Sequence, residues 1–158
     1  MRYIRKTIVD HPIKEVADLH RNPKILKELT PPLAYVDFHR VDPQSENSIV
    51  EMTIKLGGFP VFWRAKHTEV NTLTGFSDIQ EQGPFESWKH VHHFHELDDN
   101  KTEINDHIEV QFKPGLKGLP GRFIWIGIPS LFLFRHWKTK KLLKKLHNEE
   151  KNLAFDAE

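Results

Sequence analysis

From Ala34 to about Pro114 the chain is broken at short intervals by turn-forming groups: Gly57-Gly58, Thr74-Gly75, Gly83-Pro84 and Asp98-Asp99-Asn100. This spacing suits strands joined by tight turns, so it predicts a meander of about six strands whose neighbours pair antiparallel. The clearest strand has Val50, Met52, Ile54 and Leu56 alternating with Glu51, Thr53 and Lys55. That period of two gives it one buried and one wet face.

The flanking segments complete the architecture. Tyr3 to Val9 reads as a further strand, and Asp10 precedes a helical pattern carried by Ile13, Val16 and Leu19. A second short turn is expected near Pro23, and Leu29-Thr30-Pro31-Pro32 stops the helical region. After Pro114 and Gly115 a loop leads into the apolar stretch Phe123 to Phe134. Helical spacing of Leu131, Phe134, Leu142, Leu143 and Leu146 sets in near Pro129, which suits the first turn of a helix. The predicted fold class is therefore α+β, one domain over residues 1–158: a curved antiparallel sheet of about seven strands around a long C-terminal helix, with two short helices after the first strand.

Composition narrows the function. The 23 basic and 22 acidic residues are interleaved and leave a net charge of +1, so nucleic acid is not expected as a partner. There is no cysteine, which excludes disulfides and a thiolate nucleophile. The N-terminal Met1-Arg2-Tyr3-Ile4-Arg5-Lys6 has no apolar signal core, and Phe123 to Phe134 is short of the ~20 residues that span a bilayer. A cytoplasmic monomer or homodimer is expected.

Four stretches carry a family resemblance. They are His20-x-x-Pro23-x-x-Leu26-x-x-Leu29-Thr30-Pro31-Pro32; Phe62-Trp63-Arg64 with Phe76-x-Asp78-x-Gln80-x-x-Gly83-Pro84-Phe85; Trp88-x-His90-x-His92-x-Phe94 with Thr102 and Asp106; and Phe132-x-Phe134-Arg135-His136-x-x-Thr139-x-x-x-Leu143. Together they cover nearly the whole chain, which resembles the SRPBCC superfamily, the helix-grip or Bet v 1-like fold. The likeness is to a bacterial subgroup that occurs alone and as the N-terminal module of epimerase-like fusion proteins. The resemblance implies binding of a lipid, hormone or polyketide, and in some branches cyclase, hydrolase or ligand-transfer chemistry. His93 and His95 are additional to the pattern, and Phe134 stands where an aromatic hydroxyl is common, so a role needing that hydroxyl does not carry over.

The candidate site lies on the strand from Phe85 to Leu97. Its even positions Trp88, His90, His92 and Phe94 share one face, expected to line the cavity, while Val91, His93 and His95 point away. A three-residue loop Asp99-Asn100-Lys101 would set Phe94 opposite Asp106 and His92 opposite Ile108, leaving Asp106 diagonal to His92. A carboxylate beside an imidazole in an apolar cup fixes its tautomer and raises its basicity, which suits a general base or a ligand anchor. The competing reading is a structural polar pair.

Asp78 and Gln80 are placed on the same lining, with a bulge near Gly83 as the alternative that turns them outward. Arg135 is expected to meet either an acidic head group or a sheet carboxylate, the latter being commoner. The run of histidines suggests a metal, but strand alternation splits it between two faces, so neither metal nor cofactor is expected. Gly115-x-x-Gly118-x-x-Gly121 lacks the lysine and strand context of a phosphate loop and reads as a flexible cavity-mouth loop. Lys138, Lys140, Lys141, Lys144 and Lys145 read as a solvated helix face in preference to a membrane contact.

Three functions follow. The first is binding of a small hydrophobic or amphipathic ligand in a pocket lined by Trp88, Phe94, Met52, Ile54, Ile108 and Val110 and oriented by His90, His92 and Asp106. The second is a cyclase or hydrolase with His92 and Asp106 as the general base. The third is a protein-interaction role for an exposed Phe123 to Phe134 region.

Overall fold

The structure, a computed structural model, describes the backbone of residues 1–22 and 24–155 and side chains as far as Glu149. Pro23, near which a turn was expected, lies outside the described residues. Seven strands form one antiparallel sheet: β1 (Arg2–Val9), β2 (Ala34–Val41), β3 (Ile49–Leu56), β4 (Phe59–Asn71), β5 (Gly75–Gln82), β6 (Ser87–Asp98) and β7 (Lys101–Gln111). Their order is β1-β7-β6-β5-β4-β3-β2, so the six-strand meander is closed at one side by the first strand. Two short helices, α1 (Ile13–Arg21) and α2 (Ile25–Glu28), connect the two edge strands, and α3 (Leu119–Phe155) is the long C-terminal helix.

Helix α3 starts ten residues before the position expected from the sequence. Pro129 is inside it. A proline removes one N–H bond and crowds the carbonyl four residues back, but Pro129 is on the exposed side of the helix, where that carbonyl can turn to solvent, and the helix continues through it. The Gly115-x-x-Gly118-x-x-Gly121 segment is not a flexible loop either. Gly115–Gly118 is a 3-10 turn. A Cβ at Gly118 would collide with the Lys113 carbonyl, and one at Gly121 would lie 3.0 Å from the Pro84 carbonyl and 3.1 Å from the Phe85 ring. Gly121 seats the start of α3 against the β5–β6 turn, and Gly118 lets the chain before it fold back on Lys113.

The inner stripe of α3, Ile128, Phe132, His136, Thr139 and Leu143, follows helical spacing and is buried against the sheet. Phe132 and Ile128 pack with Trp63, Phe85, Trp88, Ile108 and Val110 at one end. Leu143 packs with Val9, Ile13, Val16, Phe94 and Ile104 at the other, where α1 covers the sheet. The outer side of α3 is unusual in that Phe123 is 75% and Ile126 76% exposed. No described helix is long and apolar enough to cross a membrane.

The β6–β7 hairpin departs from the expected register. Its loop has two residues, Asp98 pairs with Lys101, and a bulge lies between Glu96 and Asp98. The Asn100 N–H donates to Asp98 Oδ1 at 3.0 Å and fixes the tight turn. Phe94 consequently faces Ile104, His92 faces Asp106 and His90 faces Ile108. The displacement is by two residues, so each side chain keeps its expected face.

Gly75 opens β5 at φ +122°, and a Cβ there would collide with the His92 carbonyl oxygen. Gly75→Ala is therefore expected to destabilise the protein by about 2 kcal/mol or more, read as a lower urea midpoint. An unchanged midpoint would mean that β5 and β6 are not held this closely.

Candidate functional site

A cavity of about 210 Å³ lies between the concave face of the sheet and α3. Its two sides differ chemically. Strands β2 to β4 and α3 contribute Val36, Val50, Met52, Ile54, Trp63, Ile124, Ile128 and Leu131; strands β4 to β7 and the next turns of α3 contribute His67, Asp78, His90, His92, Asp106, Arg135, His136 and Thr139. His20, at the end of α1, also reaches the polar side.

The polar side is built by cross-strand register. His67 pairs with Asp78, and Asp78 with His90, giving a row of three polar residues across β4, β5 and β6. The adjacent row contains Phe76, His92 and Asp106. Asp106 is the hub. Its Oδ1 accepts from His90 Nε2 at 2.8 Å, and its Oδ2 accepts from His136 Nε2 on α3 at 2.6 Å. His92 Nδ1 also lies 2.8 Å from Oδ1 but is not aligned for a hydrogen bond. Asp78 Oδ2 sits 3.3 Å from His90 Nδ1 and 3.8 Å from His92 Nε2.

These contacts separate the ionisation of the two neighbouring imidazoles. Burial works against the charge of His90, but hydrogen bonds to Asp106 and Asp78 and the two negative charges outweigh it and carry its pKa up to about 9. Burial and the adjacent His90 cation push His92 down to about 4, although Asp106 and Asp78 oppose the shift. For Asp106, burial would raise the pKa, but the surrounding His92, His136 and His90 hold it well below the usual carboxylate range. Burial likewise opposes ionisation of Asp78, and His90 overcomes it and lowers the pKa. Burial lowers His20 and His67. At neutral pH the site therefore holds two carboxylates and a cationic His90, with His92 uncharged.

Of the residues expected from the sequence, Met52, Ile54, Asp78, Trp88, His90, His92, Asp106 and Arg135 line this cavity. Phe94 does not: two residues nearer the hairpin than His92, it is covered by α1, its ring tilted against that of His20 at 5.0 Å. Ile108 and Val110 also face inward but are sealed within the cluster around Phe132, leaving no surface to a ligand. Gln80 braces the Gly83-Pro84 turn instead, donating from Nε2 to the Phe85 carbonyl and accepting from the Phe85 N–H. Arg135 meets no sheet carboxylate; its guanidinium lies 5.1 Å over the Phe132 ring.

The sequence reading left His136, His67 and His20 out of the site. The Trp63, Ala65, His67 alternation on β4 was a usable signal for His67. For His136 the signal was its place in the helical spacing Ile128, Phe132, His136, Thr139, Leu143; its contact with Asp106 depends on where α3 meets the sheet. Two described groups bring donor atoms within 4.8 Å of one another, Asp78 with His90 and His92, and His11 with Glu15 and His147. In the first, a cation would have to displace the proton of His90.

No protein-family model matches the sequence, and no curated protein does. Solved structures do match. A START superfamily protein from Mycobacterium smegmatis aligns over 92% of this chain and 98% of its own, with 10% identity and a TM-score of 0.70. The Zhui aromatase/cyclase from Streptomyces sp. R1128 aligns over 92% and 94%, with 11% identity and a TM-score of 0.70. The chain has the helix-grip, Bet v 1-like fold. The same fold forms 30% of a nucleoside-diphosphate sugar epimerase from Corynebacterium glutamicum, matched over 94% of this chain at 19% identity and a TM-score of 0.70.

The raised pKa of His90 makes a stability prediction. Its cation stabilises the fold fully below the unfolded value of about 6.5, and that contribution is lost as pH rises through about 9. Wild-type protein should lose urea resistance between about pH 7 and about pH 9.5, while His90→Gln should be weaker at pH 7 and lack that decline. Parallel profiles for the two proteins would show that His90 is not the charged member. Asp106→Asn should cost about 3 kcal/mol or more at neutral pH, because it leaves the cationic His90 without its closest counter-charge.

Proposed function

We propose that this helix-grip protein binds a small amphipathic molecule in the cavity between its sheet and α3. The observation that carries this reading is the division of one cavity into an apolar wall and a wall of fixed charges and imidazoles. An apolar body on the Val36, Met52 and Trp63 side would leave a polar group facing Asp78, His92 and Arg135.

Volume limits the ligand. At about 210 Å³ the space exceeds the roughly 150 Å³ that accepts one benzene ring and is below the roughly 300 Å³ at which drug-sized pockets begin. A one- or two-ring compound or a short acyl chain fits this space, whereas a whole membrane lipid requires α3 to move. The aromatase/cyclase among the fold neighbours gives a ring-containing ligand some support.

Proton abstraction by His92 is a weaker reading. A general base works best with a pKa near the operating pH; His92 lies near 4, and His90, near 9, already carries its proton. The pair is better suited to hold a ligand's polar group than to accept a proton from it.

Titration with naphthylmethanol, followed by fluorescence of the wall tryptophans Trp63 and Trp88, tests the proposal. Saturable binding is expected, with loss of at least about tenfold in affinity for Val36→Trp, which fills the apolar side. Native mass spectrometry of protein from its own source, with solvent extraction, would identify the natural occupant. No saturable binding together with a ligand-free native mass would reject the proposal.

A further inference from the structure

Arg135 is the one cavity cation with no carboxylate in direct contact among the described residues; Asp106 and Asp78 act on it only at longer range. We infer that it is an anion subsite, and that the ligand is a small carboxylic acid whose apolar body occupies the cavity and whose carboxylate meets this guanidinium. This deepens the ligand-binding reading and rests on it.

Both cavity carboxylates are already engaged. Asp106 is shared by His90 and His136, with His92 alongside, and Asp78 faces His90 and His92. Arg135 has no carboxylate oxygen within salt-bridge distance, and its Nε is shielded from solvent with no hydrogen-bond acceptor. A guanidinium cannot lose its proton to escape this environment and has no acceptor of its own, so the shielded Nε–H is satisfied only by an incoming acceptor. The Trp88 indole N–H is a second donor-only group in the cavity wall buried without an acceptor. Both groups call for acceptors on the ligand.

Shape and charge choose among anions. The guanidinium fork, held over the Phe132 ring, matches a planar carboxylate with two parallel hydrogen bonds. A phosphate monoester would bring nearly two negative charges beside Asp78 and Asp106 and is disfavoured.

Three probes of one shape separate the possibilities: naphthoic acid, naphthylmethanol and naphthylmethylamine. Wild-type protein should bind the acid roughly tenfold to hundredfold more tightly than the alcohol, and the amine no better than the alcohol. Arg135→Met and Arg135→Gln should abolish the preference for the acid while keeping alcohol binding, which also reports that the variants fold. Equal binding of acid and alcohol, or a preference that survives both substitutions, overturns the anion subsite and leaves the cavity reading standing. Binding of none of the three overturns both.

A separate observation concerns the outer face of α3. Leu119, Phe123, Ile126, Leu133 and Trp137 share one side of the helix at helical spacing and are exposed. Lys140, Lys141 and Lys144 continue the same side. From Lys113 to Asn148 the chain carries nine Lys or Arg residues (Lys113, Lys117, Arg122, Arg135, Lys138, Lys140, Lys141, Lys144, Lys145) and no Asp or Glu. We propose that this face docks on an anionic bilayer surface, the apolar half entering the interface and the lysines meeting the head groups. From sequence alone a solvated face is preferred, because basic residues near a helix C-terminus are expected from its dipole; the structure adds the exposure of Phe123 and Ile126 beside them.

Co-sedimentation with phosphatidylcholine vesicles, with and without phosphatidylglycerol, decides this. Binding is expected only with the anionic lipid, reversed by salt and reduced roughly tenfold or more in a Phe123→Ser, Ile126→Ser double variant. Protein that stays in the supernatant, or a double variant that binds like wild type, overturns the proposal. A dimer in sedimentation velocity that the double substitution dissociates would assign the face to a second copy and overturn it as well.

Discussion

The contact between Asp106 on β7 and His136 on α3, 2.6 Å long, joins the sheet to the helix inside the protein. A carboxylate out of contact with water is unfavourable by several kcal/mol unless its lone pairs are filled. His136 fills one side and His90 the other, so the strand pairing of β6 with β7 and the placement of α3 have to be right together. The apolar stripe of α3 would tolerate some sliding along the sheet, since hydrophobic packing has little direction. A buried charge-assisted hydrogen bond does not tolerate it, and this contact fixes which residues of α3 face the cavity.

Once α3 is fixed there, the cavity follows. Phe132 and Ile128 fill the space over Trp88 and Ile108 on one side of the Asp106 hub, and Leu143 fills it over Phe94 and Ile104 on the other. Between these packed ends the sheet curves away and α3 presents Arg135 and Thr139, leaving open volume next to the charged row. The close seat of Gly121 against Phe85 holds the start of the helix, so the cavity is spanned by a helix anchored on both sides of it.

The topology was legible in the sequence because turn chemistry and period-two alternation are local. Val50 to Leu56 and Trp88 to Phe94 each show the correct inner face without reference to any other part of the chain. What was not legible depends on contacts between distant segments. The β6–β7 register was displaced by two residues because the bulge near Leu97 trades one loop residue for one strand residue, and neither is marked by a glycine. The start of α3 was misplaced because Pro129 and the preceding glycines resemble loop punctuation, while their compatibility with a helix comes from exposure in one case and close approach in the others. His136 was quoted only as part of a motif, since its contact with Asp106 follows from where α3 meets the sheet.

The ionic cluster is not the most stable way to fill this space. Buried ion pairs are often no better, and sometimes several kcal/mol worse, than apolar side chains of the same volume. Tying the helix to the sheet requires only one carboxylate and one imidazole, yet the cavity also holds Asp78, a cationic His90, a neutral His92 and an Arg135 without a direct ion-pair partner. Arg135 alone among these charged groups has no oppositely charged atom in direct contact, Asp106 and Asp78 acting on it only at longer range. A purely structural network would be expected to close on itself, and this one leaves Arg135 Nε, His92 Nδ1, His136 Nδ1 and Trp88 Nε1 without hydrogen-bond partners around the open volume.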